Sequence, residues 1–362
     1  MLACAEKREE KYKSNAKNIT VRLGELFCGP GGIGLGASLA DVAGISIEHI
    51  WATDYDKDSC ETYKNNLHPK AILCEDIREL DFNKLLKYGD IDCLTFGFPC
   101  NDFSTVGEQK GLHGTYGKLY EYCVKALQIF KPKYFVAENV SGLKNANDGN
   151  AFNKILDAFK NIGYKIYPNL YCFENYGIPQ KRHRIIIVGI RDDIDIEYKI
   201  PSYKPYSDID NSVKTALSNI PKNAANNEAT AQSPVVIERL KYIKEGENAF
   251  TANLPEHLRL NVKGAKISQI YKRLTANEPS YTITGSGGGG THVYHYKENR
   301  ALTNRERARI QTFTDNYVFH GSKESVRKQI GMAVPPRGIK IIFEALLNSI
   351  IGNEYETMEA NI

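Results

Sequence analysis

No apolar run in this chain approaches bilayer length; the longest are of strand length, such as RIIIVGI at 184–190. The opening MLACAEKREEKYKSNAKN has no apolar leader pattern, so the expectation is a protein that is neither secreted nor membrane-spanning. The eight cysteines include no CxxC pair and no zinc-like spacing. That argues against a disulfide framework or a structural metal and for a reducing, cytoplasmic compartment. An excess of one charge is also missing: 47 basic against 43 acidic side chains leave a net +4, which permits a nucleic-acid partner without requiring one. No internal repeat is visible. What is present is the 42% hydrophobic, 25% charged composition of a globular protein, in a chain of 362 residues that is long enough for two domains.

From residue 21 short apolar runs recur: VRLGELFC, HIWATD, IDCLTFGF, KYFVAEN and HRIIIVGI, several rich in β-branched or aromatic residues. Between them YEYCVKALQIF (120–130) and AFNKILDAFKNIG (151–163) repeat apolar positions at three and four residues, as helices do. The alternation predicts an α/β fold, a doubly wound and mostly parallel sheet covered on both faces. Beyond Arg191 prolines, asparagines and serines multiply, and GSGGGG (285–290) can hold no packed element, so a second, smaller, irregular domain is expected. The last segment ends in an amphipathic helix that needs a partner face. The expected division is therefore a tail at 1–20, a catalytic domain from 21–200 and 326–362, and an inserted domain at 201–325.

LGELFCGPGGIGLG (23–36) places Gly29, Gly31 and Gly34 as GxGxxG between a strand and a helix, where a ligand can approach bare backbone. Asp54 closes the next strand, twenty residues beyond Gly34, where a carboxylate can accept from ribose hydroxyls. This pair fits NAD as well as S-adenosylmethionine. Asp76, after a third strand, is either an acceptor for an adenine amino group or an ordinary helix N-cap. TFGFPCNDFS (95–104) ends a strand at Pro99 and Cys100. A thiolate at the carboxyl end of a parallel strand can attack an electron-poor ring carbon.

At this point the sequence resembles the cytosine-5 DNA methyltransferase family of the bacterial restriction-modification type. ELFCGPGGIGLG resembles its cofactor loop, GFPCNDFS its Pro-Cys motif, AENVSGL (137–143) its Glu-Asn-Val motif, and NYGIPQKRHRIIIVGIR (175–191) its Gln-x-Arg-x-Arg segment. EPSYTITG, RALTNRERARIQTF and QIGMAVPP are similar to the closing motifs. The resemblance implies a class I S-adenosylmethionine-dependent methyltransferase fold with an irregular DNA-recognition domain. It implies methyl transfer from S-adenosylmethionine to carbon 5 of a flipped-out cytosine in a short duplex site, without a metal. Cys100 is the implied nucleophile at carbon 6, and Glu138 hydrogen-bonds ring nitrogen 3. Asn139 orients the Pro99-Cys100 loop, and Arg184 and Arg182 reach the base oxygen and nearby phosphates.

The implied cofactor contacts are Phe27, Gly29, Gly31, Asp54, Tyr55, Asp76, Ile77, Pro99 and Leu119. Arg259, Lys263, Lys266, Lys272 and Arg273 form a basic cluster in the region expected to read DNA. The implied partners are double-stranded DNA and a cognate restriction endonuclease, with a monomer as the default state and the bacterial cytoplasm as the location. Asn101, Asp102 and Met332 depart from the family pattern, the last in the closing cofactor motif. The rivals are a tRNA methyltransferase of the same fold, an NAD-dependent dehydrogenase and a catalytically dead DNA-binding module. The dehydrogenase leaves Pro99-Cys100, Glu138-Asn139 and Arg182/Arg184 without a purpose.

Overall fold

The structure, a computed structural model, describes residues 19–98, 119–261 and 268–362. Pro99, Cys100, Asn101, Asp102, Lys263 and Lys266 lie outside the described residues.

The apolar runs become a seven-stranded sheet: β1 (Ile19–Leu26), β2 (Ile45–Asp54), β3 (Ala71–Cys74), β4 (Cys93–Gly97), β5 (Tyr134–Val140), β6 (Tyr164–Cys172) and β8 (His183–Arg191). A two-residue strand, β7 (Gln180–Lys181), precedes β8 and pairs outside this sheet with Ser280–Tyr281. The order is β3-β2-β1-β4-β5-β8-β6, so the winding reverses between β1 and β4. Strands β3, β2, β1, β4 and β5 are parallel, whereas β8 runs antiparallel to both β5 and β6. Helices α1 (Gly32–Ser38), α2 (Lys57–Leu67), α3 (Leu119–Phe130) and α4 (Asn150–Asn161) follow in chain order.

Both faces of the sheet are buried, which is why its strands read as nearly unbroken apolar runs. On one face Cys123 and Leu127 of α3 and Ile155 and Phe159 of α4 pack with Phe96, Phe135 and Ile185. On the other, Ile33 and Ala37 of α1 join Ile339, Ile342, Phe343 and Leu346 of the long helix Pro336–Ile351. The chain thus returns to the sheet at its end. The return requires close approach: a Cβ on Gly36 would lie 2.5 Å from the Ile339 side chain and 2.6 Å from the Pro336 carbonyl.

Two boundaries differ from the sequence-based expectation. β1 begins at Ile19, inside the expected tail, because Ile19 pairs with Ile45 across the parallel ladder. Residues expected in the inserted domain also pack much earlier than 326. Leu302, Ala308, Ile310, Phe313 and Phe319 share a core with Cys28, Leu35, Ala52, Tyr63 and Leu67. The irregular region keeps a small core of its own from Leu240, Ile243, Ala249, Leu254, Tyr294 and Ala301. The turn-rich composition concealed this division, because the segment around 302–319 meets the sheet domain through single side chains rather than a long periodic helix.

Gly36→Ala should therefore cost about 1–3 kcal/mol through overpacking, measured as a lower urea midpoint. Gly288→Ala, where a Cβ meets nothing within 4 Å and the backbone is extended, should leave that midpoint unchanged.

Candidate active site

The carboxyl ends of β1, β2, β4 and β5 meet at the point where the winding reverses, the place where parallel α/β sheets bind ligands. The loop after β1 is built from left-handed backbone at Phe27 (φ 52°), Gly29 (φ 51°) and Gly31 (φ 88°). At Gly31 a Cβ would also strike the Tyr317 hydroxyl at 2.6 Å and Leu67 at 2.7 Å, so space and conformation both demand glycine there. A Cβ on Gly29 would meet nothing within 4 Å, which leaves this backbone open to a ligand.

Asp54 fixes the loop: its Oδ2 accepts from the Gly29 N–H at 2.8 Å and its Oδ1 from the Asp56 N–H at 2.9 Å. Asp56 then caps α2 by accepting from the Ser59 N–H at 2.9 Å. Burial holds the Asp54 carboxyl above the ordinary range, opposed by these backbone N–H groups. Tyr55 is 61% exposed at the site mouth, with Lys328 Nζ 5.9 Å from its ring centre and 3.5 Å from Asp56. Met332, also 61% exposed, lies one helical turn beyond Lys328 on Lys323–Met332. Ile77 and Leu119 are buried in the core cluster that also holds Leu26 of β1 and Leu94 and Phe96 of β4.

Asp76 is not the helix N-cap that its sequence context allowed. It opens a turn rather than a helix, and Arg78 engages its carboxylate through the backbone N–H at 2.9 Å and Nε at 2.9 Å. This pairing holds the Asp76 carboxyl below its usual range.

At the far side of the reversal Glu138, near the end of β5, faces Arg184 at the start of β8, with Nε 2.8 Å from Oε1. Their side chains are each only 14% exposed. The antiparallel course of β8 brings them together: Val140 pairs with Arg184, so the beginning of β8 lies at the same sheet edge as the end of β5. Burial raises the Glu138 pKa, and the positive charges of Arg184 and Arg182 oppose that rise. Arg184 is held in turn by donating from Nη1 to the His183 carbonyl at 2.8 Å. Asn139 is buried, and its Nδ2 donates to the Phe98 carbonyl at 3.3 Å, tying β5 to the residue that precedes Pro99.

Arg182 does not face the open edge. It is 2% exposed, and its guanidinium donates to the Ile283 carbonyl at 3.0 Å and the Gly331 carbonyl at 3.1 Å. The reach towards base and phosphate expected of it is therefore corrected: strand alternation between Arg182 and Arg184 is broken where β7 ends and β8 begins. Arg273 likewise leaves the expected basic cluster. It is 3% exposed and donates to the carbonyls of His295 at 2.7 Å, Glu298 and Leu240. Arg259 donates to the Leu254 carbonyl at 3.2 Å, and Lys272 lies 5.1 Å from the Tyr281 ring centre.

Sequence reasoning missed Glu25, an acidic residue in the middle of the apolar run VRLGELFC. It is 1% exposed beneath the glycine loop, and its Oε2 accepts from the Tyr63 hydroxyl at 3.0 Å. Since that hydroxyl donates to Glu25, it accepts from His49 Nδ1 at 3.0 Å, and His49 Nε2 accepts from Ser38 Oγ at 2.7 Å. Burial keeps this histidine neutral, its pKa pushed down to about 4, and pushes the Glu25 carboxyl up to about 8.

This arrangement defines the class: a methyltransferase of the class I S-adenosylmethionine-dependent fold, with a glycine-loop cradle at one side of the reversal and a buried carboxylate–arginine pair at the other. Residues 21–348 match the family described as C-5 cytosine-specific DNA methylase. The chain belongs to this family and is a DNA (cytosine-5-)-methyltransferase. It is 52% identical to the type II methyltransferase M.BbvI of Brevibacillus brevis over 94% of each chain. It is 40% identical to M.NgoFVII of Neisseria gonorrhoeae, over 95% of this chain and 91% of that one. Both are type II methyltransferases of bacteria, which sets the chain in the bacterial restriction-modification branch of the family. Among solved structures, an Entamoeba histolytica methyltransferase shares the fold at a TM-score of 0.64 and 14% identity, covering 91% of this chain and 99% of that one.

Two outcomes follow from this geometry. Between pH about 4.5 and about 8 folded Glu25 keeps a proton that the unfolded chain has released, so the native state binds more protons and stability falls as pH rises through that window. Glu25→Gln should flatten the fall, on the order of a few kcal/mol, in urea titrations at pH 5 and pH 8. Arg182→Met should strand the Ile283 and Gly331 carbonyls and destabilise the chain by about 3 kcal/mol or more, read as a lower urea midpoint.

Proposed function

We propose that this enzyme methylates carbon 5 of one cytosine within a short, specific duplex sequence, after swinging that base out of the stack and attacking its carbon 6 with Cys100. The observation that carries the reading is the buried Glu138–Arg184 pair at the sheet edge, with Asn139 tied to Phe98 just ahead of Cys100. A cytosine stacked in a duplex cannot be reached on both faces of its ring, so it has to leave the helix.

Cytosine carbon 5 is too weak a nucleophile to take a methyl group unaided. Addition of the Cys100 thiolate to carbon 6 saturates the 5,6 double bond and pushes electron density to carbon 5. Glu138, its pKa raised by burial, is held protonated or shares a proton with the base, hydrogen-bonds ring nitrogen 3 and stabilises the charge that develops during attack. Arg184 keeps that carboxyl in position and offers its remaining N–H groups to the base oxygen. S-adenosylmethionine, the family's methyl donor, would when bound supply its sulfonium methyl group to carbon 5, the S–CH3 bond breaking to leave S-adenosylhomocysteine. A base then removes the carbon 5 proton, and the electron pair left behind expels the Cys100 thiolate and restores the ring.

For the cofactor, the open backbone at Gly29 and the exposed ring of Tyr55 fit a nucleoside, and the Asp54 oxygens keep lone pairs for ribose hydroxyls while holding the loop. Phe27, Gly31, Asp76, Ile77, Pro99 and Leu119 complete this proposed contact set. Arg182 acts as a positioning residue. The substrate is double-stranded DNA, and a restriction endonuclease cutting the same sequence is the proposed partner of a monomeric enzyme.

Incubation of unmethylated plasmid with enzyme and S-adenosylmethionine, followed by bisulfite sequencing, should give protected cytosines in one recurring short context. Cys100→Ser should give none, and Glu138→Gln should lower kcat/KM by about 10²–10⁴-fold. A duplex carrying 5-fluorocytosine should trap a covalent complex with the unaltered chain, because the fluorine at carbon 5 cannot leave as a proton does. Protection of tRNA cytosines instead of plasmid cytosines would replace the DNA reading.

A further inference from the structure

Where β6 ends and β8 begins, the antiparallel register sets Cys172 directly opposite His183, and Glu174 follows in the single turn Phe173–Tyr176. One ligand atom from each residue, the thiol sulfur, a carboxylate oxygen and an imidazole nitrogen, lies within 4.8 Å of the others. His183 Nε2 already meets Glu174 Oε1 at 2.7 Å. The second oxygen, Glu174 Oε2, is buried and has no hydrogen-bond partner, although an anionic oxygen is costly to leave unpaired. Asn211 fixes the turn by donating from Nδ2 to the Glu174 carbonyl at 2.7 Å. Methyl transfer by the route above uses none of these three side chains.

We infer that Cys172, Glu174 and His183 form a binding site for one zinc ion, with water in the fourth position. A thiolate, an imidazole and a carboxylate together select zinc over magnesium or calcium, which prefer all-oxygen ligands. In a tetrahedron with zinc–ligand bonds of about 2.0–2.3 Å these ligand atoms stand about 3.3–3.5 Å apart, so their separations need to change by roughly 1.5 Å at most. The orphaned Glu174 oxygen acquires a partner, and His183, which is 46% exposed, provides an entry path. Binding releases the Cys172 thiol proton to solvent and changes no oxidation state.

The ion would brace the corner that carries Arg184, since the His183 carbonyl accepts from the Arg184 guanidinium. The site is thus structural, and it steadies one partner of the Glu138–Arg184 pair without touching the base. It rests on the side chains at this corner and is independent of the substrate.

The test uses the full chain, stripped with a chelator and titrated with Zn²⁺ by calorimetry and with Co²⁺ by absorbance. One equivalent should bind, with a thiolate-to-cobalt charge-transfer band and a rise in Tm on adding Zn²⁺. Cys172→Ser, Glu174→Gln and His183→Gln should each weaken binding by more than about 100-fold, since losing even an outer-shell partner of a zinc site costs 10–100-fold. Cys74→Ser, which removes an exposed thiol elsewhere, should leave it unchanged. The site is refuted by a missing charge-transfer band in the unaltered chain, or by affinity that survives all three substitutions. If a variant fails to melt cooperatively, the band in the unaltered chain and the remaining variants decide.

Discussion

The contact between Glu138 and Arg184 depends on almost everything else in the fold. Two ionisable groups held 2.8 Å apart with little exposure have surrendered most of their hydration, and only accurate placement compensates for that loss. Placement comes from β8 running against its neighbours, so that the first residue pairs of that strand fall at the edge where the parallel strands end. Had β8 been parallel, Arg184 would sit at the opposite edge, some 20 Å away for a strand of this length. The same burial raises the carboxyl's pKa against the opposing charges of Arg184 and Arg182, so packing and acid–base behaviour share one cause.

Around this pair, distant segments are joined by buried polar side chains rather than by an extended apolar interface. Arg182 bridges Ile283 and Gly331, and Gln180 donates from Nε2 to Gln311 at 2.8 Å while its own oxygen accepts from the Ile283 N–H at 2.7 Å. Gln311 then donates to the Ile330 and Ala333 carbonyls at 2.7 and 3.2 Å. One network therefore holds the segment before β8, the strand leading to the glycine loop at 285–290 and the end of Lys323–Met332. Directional bonds of this kind specify register as well as adding stability, because a slip by one residue would leave several buried groups unpaired.

The loop after β1, with Gly29 and Gly31, rests on a second network. Its left-handed glycines give no side-chain packing of their own, so the loop is held from outside by Asp54 and from below by Glu25, Tyr63, His49 and Ser38. A neutral His49 and a protonated Glu25 let this chain of hydroxyl, imidazole and carboxyl groups be satisfied without a buried net charge. The rigidity of the loop is thus assembled from residues on two strands, β1 and β2, and two helices, α1 and α2.

The sequence by itself determined the class of fold, because strand-length apolar runs alternating with helical periodicity suit only a sheet covered on both faces. It also determined the turn at Gly29 and Gly31 and the Glu138-Asn139 pair at a strand end, since these are local and tied to particular residue types. Tertiary structure decided which of the cations face inward. Arg182, Arg273 and Arg305 are among the most buried arginines of the described chain, yet in the sequence they look no different from exposed ones. A charged side chain announces its type but not its partner, and when the partners are backbone carbonyls tens or hundreds of residues away, only the folded chain can bring them within bonding distance.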